Sequence, residues 1–269
     1  MTRIAVVQFP GSNCEAETRD ALRVAGAEPE IVRWNMPPDT WGAFDGFVLP
    51  GGFSYEDRVR AGAIAAKHAV LDAIAAAADA GCPVLGICNG AQVLVESGLV
   101  PGIEPGRVEV ALAANAATGW RGYYCDWVHL AAGDGPGIPR QLGREPLPLP
   151  VGHGEGRFVA RPQVLDDLAR RGQIAFRYVR PDGSTARGFP DNPNGSLLDV
   201  AGLCDARGRV LALMPHPERG AWLYQVPEEL PGKWGAARRA AAGDGALLVG
   251  AGPGLALYRS FVQLARGEV

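Results

Sequence analysis

The sequence contains no C-x-x-C pair, no G-x-x-x-x-G-K-[ST] phosphate loop and no internal repeat. Its five cysteines, Cys14, Cys82, Cys88, Cys125 and Cys204, are an odd number without paired spacing. That pattern argues against a disulfide framework and against a zinc site, so no metal is expected, and free thiols in a reducing cytoplasm are. The longest apolar region, residues 61–81, is interrupted by Lys67, His68, Asp72 and Asp79, which a bilayer core would not accept without partners. The N-terminal apolar run is too short for an export signal and ends in Pro-Gly, so a cytoplasmic location is expected. A net charge of −3 with both signs interspersed leaves no basic face for nucleic acid or an anionic membrane.

The 269 residues, 47% of them apolar, suffice for one substantial core, and a single domain spanning 1–269 is expected. The first half alternates as a parallel sheet with covering helices does. "RIAVVQF", "EPEIVRW", "DGFVLP" and "CPVLGI" read as strands, "EAETRDALRVAG" as a helix closed by glycine, residues 61–81 as one Ala-rich helix, and "GAQVLVESG" as a helix starting directly behind Cys88. Further on, "VEVALAA" and "GYYCDWVHLAA" read as strands, residues 133–150 as a Pro/Gly-rich surface loop and "PQVLDDLARRG" as a helix. "QIAFRYV", "SLLDVAGLCD" and "RVLALMP" read as strands, residues 221–252 as an insertion without a strong period, and the last segment as a helix with proline in its first turn. The expected class is α/β: a three-layer, flavodoxin-like open sheet, mostly parallel, with helices on both faces.

Within that frame "PVLGICNGAQ" places Cys88 at a strand-to-helix turn between Gly86 and Gly90. G-x-C-x-G in this context is the thiol counterpart of the hydrolase nucleophile elbow. Side chains at the two glycines would collide with the neighbouring strand and helix, and the sulfur would stand at the positive end of the following helix, where negative charge is stabilised. The other four cysteines lack such flanks and read as small buried apolar residues.

A thiol nucleophile needs a base and a group to orient it. Of four histidines, His68 falls on the stripe of the Ala-rich helix with Ile64, Leu71 and Ala75, and His129 alternates as a strand residue. His153 in "GHGEGRF" and His216 in "MPHPERG" each have a glutamate two residues on, Glu155 and Glu218. Pro215 and Pro217 brace His216 in an extended segment whose i and i+2 side chains share a face, whereas "GHGEG" reads as a loose binding loop. His216 with Glu218 is therefore preferred. For an oxyanion, the N–H of Asn89 follows the nucleophile, and Gly51 and Gly52, after a buried strand, can supply a second donor.

"GICNGAQ", "PGGFSYEDRVRAGAIAA" and "MPHPER" resemble the class I, triad-type glutamine amidotransferases. The Asn after Cys88, "FPGSNCE", "HGEGRF" and "NPNGS" narrow the resemblance to the glutaminase-subunit family of phosphoribosylformylglycinamidine synthases. The resemblance covers most of the chain, in the same order. It implies Cys88 as nucleophile, His216 and Glu218 as the rest of the triad, Gly52 and Asn89 as oxyanion donors and Gln92 as a contact for the bound glutamine. It further implies hydrolysis of L-glutamine to glutamate and ammonia through a γ-glutamyl thioester, in the service of purine biosynthesis. This chain shows no ATP site, so no cofactor is expected here; ATP and magnesium belong on a partner. That partner is expected to be the large ATP-dependent synthetase subunit, and a small bridging subunit is a further candidate member of the complex. The chain departs from the family at Glu56, where glycine is common, at Ala91, where an aromatic is usual, and in the length of residues 221–252.

Two other readings compete. A free-standing cysteine hydrolase or peptidase on the same architecture would need no partner, and a non-enzymatic relative would have no use for an intact Cys88, His216 and Glu218.

Overall fold

The computed structural model describes residues 1–104, 106–117 and 119–268. Runs that are apolar without alternation become strands covered on both faces, as in Ile4–Val7 and Val84–Ile87, every one of them buried. In chain order the first half comprises β1 (Arg3–Gln8), α1 (Glu15–Val24), β2 (Glu28–Arg33), β3 (Gly46–Leu49), α2 (Val70–Asp79), β4 (Val84–Ile87) and α3 (Asn89–Glu96). There follow β5 (Val110–Ala113), β6 (Ala116–Ala117), β7 (Trp120–Arg121), β8 (Tyr124–Ala132), α4 (Ile138–Gln141), β9 (Leu147–His153), β10 (Arg157–Ala160) and α5 (Pro162–Arg170). The chain closes with β11 (Ile174–Val179), β12 (Val200–Cys204), β13 (Val210–Leu213), α6 (Lys233–Ala240), α7 (Gly245–Leu248) and α8 (Leu255–Ala265).

Among the described residues the main sheet has nine strands in the order β2-β1-β3-β4-β13-β12-β11-β8-β9. From β2 to β13 every pair is parallel, and from β13 to β9 every pair is antiparallel. The order 2-1-3-4 with β13 in fifth place is the flavodoxin-like α/β arrangement read from the sequence. Right-handed crossovers leading to opposite sides of β1 put their helices on opposite faces of the sheet. α1 and α8 pack together on one of them. Such a sheet receives ligands at the carboxyl ends of its strands near the switch between β1 and β3. Among the described residues no helix is long and apolar enough to cross a membrane.

Several elements differ from the sequence reading. The Ala-rich stretch is not one helix: a 3-10 turn at Ala65–Lys67 is followed by an extended His68 (φ −84°, ψ 146°), and α2 begins only at Val70. The His68 ring is held against Trp34 at 4.0 Å and Tyr55 at 5.3 Å, so aromatic packing overrides helix propensity there. Residues 147–150, expected in a loop, start the edge strand β9. Pro148 and Pro150 are tolerated because an edge strand can spare the missing N–H. β5 pairs not with the main sheet but with β10, a strand the sequence reading did not foresee. "SLLD" forms a 3-10 turn ahead of β12, and Pro253 precedes α8 by two residues instead of lying in its first turn. Residues 221–252 carry α6 and α7 over a small cluster of their own, Leu223, Val226, Leu230 and Ala241, against which Trp127 packs.

Candidate active site

The carboxyl ends of β1, β3, β4 and β13 converge. At the end of β4 the chain turns through Cys88 at φ 48°, ψ −105°, a conformation that costs a non-glycine residue about 1–3 kcal/mol. Fully buried flanks hold it there: all four residues of β4 and all eight of α3 are inside, and the Cys88 N–H donates to Leu213 O at 2.8 Å. The glycines are needed for the sterics. A Cβ on Gly90 would stand 1.9 Å from Leu49 O, and one on Gly86 2.6 Å from Gly90 O and from a Leu94 methyl. Cys88 is 6% exposed, and its sulfur lies 3.8 Å from Gly152 O.

β13 delivers His216, 1% exposed, whose N–H donates to Pro150 O at 2.8 Å. The chain is extended at His216 (φ −103°, ψ 91°) but turns into a 3-10 segment at Pro217–Gly220. The expected extended i, i+2 pairing is thus replaced by a turn that Pro217 starts, since its fixed φ suits a first helical position. Glu218, fully buried, folds back so that its Oε1 is 2.5 Å from His216 Nδ1. Burial alone would lower the imidazole pKa; Glu218, Cys88 and Cys14 together outweigh it and raise the pKa well above the ordinary value. His216 Nε2 is buried and unpaired among the described residues, the ring position left for a thiol or a substrate amine.

The glycines after β3 differ in placement. A Cβ on Gly51 would meet the His216 ring at 2.7 Å, so Gly51 makes room for the imidazole, while its carbonyl accepts from the N–H groups of Asn13 and Cys14 at 3.2 and 3.3 Å. Gly52 lines the cavity. Its neighbours bond across to the first turn, Phe53 N–H to Gly11 O at 2.8 Å and Asn13 N–H to Gly51 O, which leaves the Gly52 N–H without a backbone partner among the described residues. Asn89, as the first residue of α3, has an N–H that the helix cannot use.

The Asn89 side chain ties the loops together. It accepts from Ser54 N–H at 3.0 Å and donates to Gln92 Oε1 at 2.9 Å, and Gln92 in turn donates to Glu155 O at 2.6 Å. Gln92 lines the cavity with its amide already engaged. Ala91 is fully buried in α3 and does not line it.

His153 is in the wall as well, but not paired with Glu155: both its ring nitrogens are buried without partners, and burial depresses its pKa to about 3. Nor is "GHGEG" loose. Asn115 donates to His153 O at 2.8 Å and accepts from Gly156 N–H at 3.0 Å, while Asn194 donates to Gly156 O at 2.8 Å, so "NPNGS" buttresses this turn.

The cavity, of about 180 Å³, also holds residues that sequence reasoning missed. Asp57 stands near Glu155, and burial together with that second carboxylate raises its pKa to about 6. Arg219 lines the same cavity, and its guanidinium donates to the Cys14 sulfur at 3.1 Å. Cys14, Glu218 and His216 present ligand-type atoms within 4.8 Å of one another, the only such group among the described residues. His216 and Glu218 are bonded to each other there, and the guanidinium on Cys14 opposes a cation. Cys14 is therefore not an ordinary core thiol but a neighbour of the imidazole, and Cys125, also expected inside, is exposed. The signal for Cys14 was its place just past β1, the same sheet edge as Cys88. His68 and His129 lie outside the site, as expected.

Such a site can attack a carbonyl with sulfur, hold an oxyanion between two amides and shuttle a proton on a buried imidazole. Residues 1–242 match the model of the CobB/CobQ-like glutamine amidotransferase domain. The chain is 45% identical over 241 residues to the phosphoribosylformylglycinamidine synthase subunit PurQ of Methanothrix thermoacetophila, covering 85% of this chain and 90% of that one. It is 43% identical to the PurQ subunit of Thermus thermophilus, covering 81% and 89%. Among solved structures, a chain of PurLQS from Thermotoga maritima superposes with a TM-score of 0.69 at 32% identity, covering 97% of this chain and 98% of that one. A putative GMP synthase subunit from Thermoplasma acidophilum, 17% identical with a TM-score of 0.56 and covering 100% of this chain and 96% of that one, shares the fold.

Proposed function

The chain belongs to the CobB/CobQ-like glutamine amidotransferase domain family, as one of its phosphoribosylformylglycinamidine synthase PurQ subunits, and from that premise we infer how its site works. The subunit releases ammonia from L-glutamine for the step of purine biosynthesis that makes phosphoribosylformylglycinamidine. Cys88 attacks the side-chain amide carbon, and the tetrahedral oxyanion sits between the N–H groups of Gly52 and Asn89. His216, oriented by Glu218, carries the thiol proton to the leaving amine. The γ-glutamyl thioester is then hydrolysed by water that His216 deprotonates. Asp57 and Glu155 form the anionic end of the cavity, complementary to the α-ammonium of glutamine, and Arg219 is the cation facing the α-carboxylate.

Ammonia is mostly protonated in water near neutral pH, so the product must pass directly to a second site. The partner is the PurL synthetase subunit, which we propose carries ATP and magnesium, with the small PurS subunit completing the complex. A cytoplasmic location follows from that role. The observation that carries this reading is the strained Cys88 elbow facing the same cavity as the buried His216–Glu218 pair. In the assembled complex, Cys88→Ser is expected to abolish glutamine-dependent synthesis and leave ammonia-dependent synthesis intact. Glutamine turnover that survives the substitution assigns the wrong nucleophile.

A further inference from the structure

A second cavity, of about 290 Å³, lies along β8: Tyr123, just ahead of that strand, lines the catalytic cavity, and Tyr124, its first residue, lines the second. One wall belongs to residues 221–252, through Pro227, Glu229, Leu230 and Pro231. Three carboxylates face it, Asp126, Asp191 and Glu229. Arg180 approaches Asp191 at 3.9 Å, whereas Asp126 and Glu229 have no cationic partner among the described residues. Asp126 accepts from the Tyr124 hydroxyl at 3.0 Å and from the Trp127 N–H at 2.7 Å, so its carboxylate is fixed in place.

His129 also lines this cavity. It is only 9% exposed, and its ring makes no hydrogen bond among the described residues. A polar side chain so deeply placed and unpaired leaves a hydrogen-bonding position to be filled. The acids and His129 do not converge as metal ligands do, since the one group of that kind among the described residues is Cys14, His216 and Glu218. Spread charge in a cavity that Tyr124 and Trp127 also line suits a flat or extended cation better than a point ion.

We propose that this cavity binds an extended organic cation, an alkyl guanidinium or alkyl ammonium. Its charged head lies among Asp126, Asp191 and Glu229, with His129 accepting one N–H, and its methylene stem lies on the proline and leucine wall. The proposal does not rest on the glutaminase reading, because none of these residues belongs to that machinery. Trp127 nonetheless packs against Gly220, two residues past Glu218.

Agmatine titrated calorimetrically into the intact chain tests it. Saturable 1:1 binding is expected, weakened about tenfold or more in Glu229→Gln/Asp126→Asn and by added salt, as for charge pairing near a surface. Unchanged glutamine hydrolysis in that variant shows that it is folded. Acetyl-argininamide separates the two sources of such a cation. If the occupant is a partner's arginine, this compound binds as well as agmatine, and agmatine competes with assembly of the complex. If it is a free amine, agmatine binds better and assembly is indifferent to it. Absence of saturable agmatine binding, or binding undiminished in the variant, overturns the proposal.

Discussion

Removing the Glu218 charge separates a base that is oriented from one that is merely present. His216 and Glu218 are 2% and 0% exposed in their side chains and touch at 2.5 Å, so water screens their interaction little. Glu218→Gln keeps the shape and a hydrogen bond to Nδ1, but the imidazolium that forms when Cys88 gives up its proton then has no counter-charge. Breaking a buried pair from one side costs about 3–5 kcal/mol, and even the lower end of that range in the transition state slows glutamine turnover by about 10²–10³. Glu155→Gln leaves His216 untouched. Its expected effect is a raised KM for glutamine, about tenfold for one weakened charge contact, with kcat nearly unchanged. The assay is glutamate release by the assembled complex over a range of glutamine concentrations, with ammonia-dependent synthesis as the control for folding and assembly. If Glu155→Gln lowers kcat as much as Glu218→Gln does, the triad assigned here is wrong.

Glutamine affinity should depend on Asp57. Its free-state pKa is raised to about 6, and a bound α-ammonium favours the ionised carboxylate. Binding must then expel a proton below pH 6, and affinity falls by up to about tenfold per pH unit. Glutamine titrations of a Cys88→Ala protein from pH 7 to 5 measure this, and an Asp57→Asn variant with the same slope refutes it. A separate prediction concerns Glu56, which is held left-handed at φ 58°, ψ 28° on the surface, its contact with Arg58 exposed on both sides. Glu56→Gly is expected to stabilise the fold by about 0.5–1 kcal/mol, the relief of left-handed strain less the added freedom of the unfolded chain. Denaturant unfolding checks the sign, and a destabilised variant contradicts the strain argument.

The parallel half of the sheet was legible because unbroken apolar runs between glycines and helices allow few alternatives. In the antiparallel half β8, β11, β12 and β13 were legible as strands but β9 was not: Pro148 and Pro150 disguise it, and whether a proline is tolerated depends on the edge position, which only the assembled sheet defines. In the site, Cys88 could be read from its flanking glycines, since Gly86 and Gly90 answer to contacts with the adjacent helix and strand. His216 with Glu218 was legible as a pair, but the turn that joins them was not. Cys14, Asp57 and Arg219 escaped because their importance is tertiary. Each sits past a different strand or turn, and only the shared sheet edge brings Asp57 and Arg219 to one cavity and Cys14 beside the imidazole behind it. Glu155 was seen as a histidine's partner, whereas the structure sets it beside Asp57.

Two thiols flank one imidazole, and only one stands in the strained elbow. Labelling the protein with an electrophilic glutamine analogue and mapping the modified peptide therefore tests the account most directly. The label is expected on the peptide containing Cys88, blocked by excess glutamine and absent from Cys88→Ser. A glutamine-protected label on Cys14, or on neither cysteine, would contradict it.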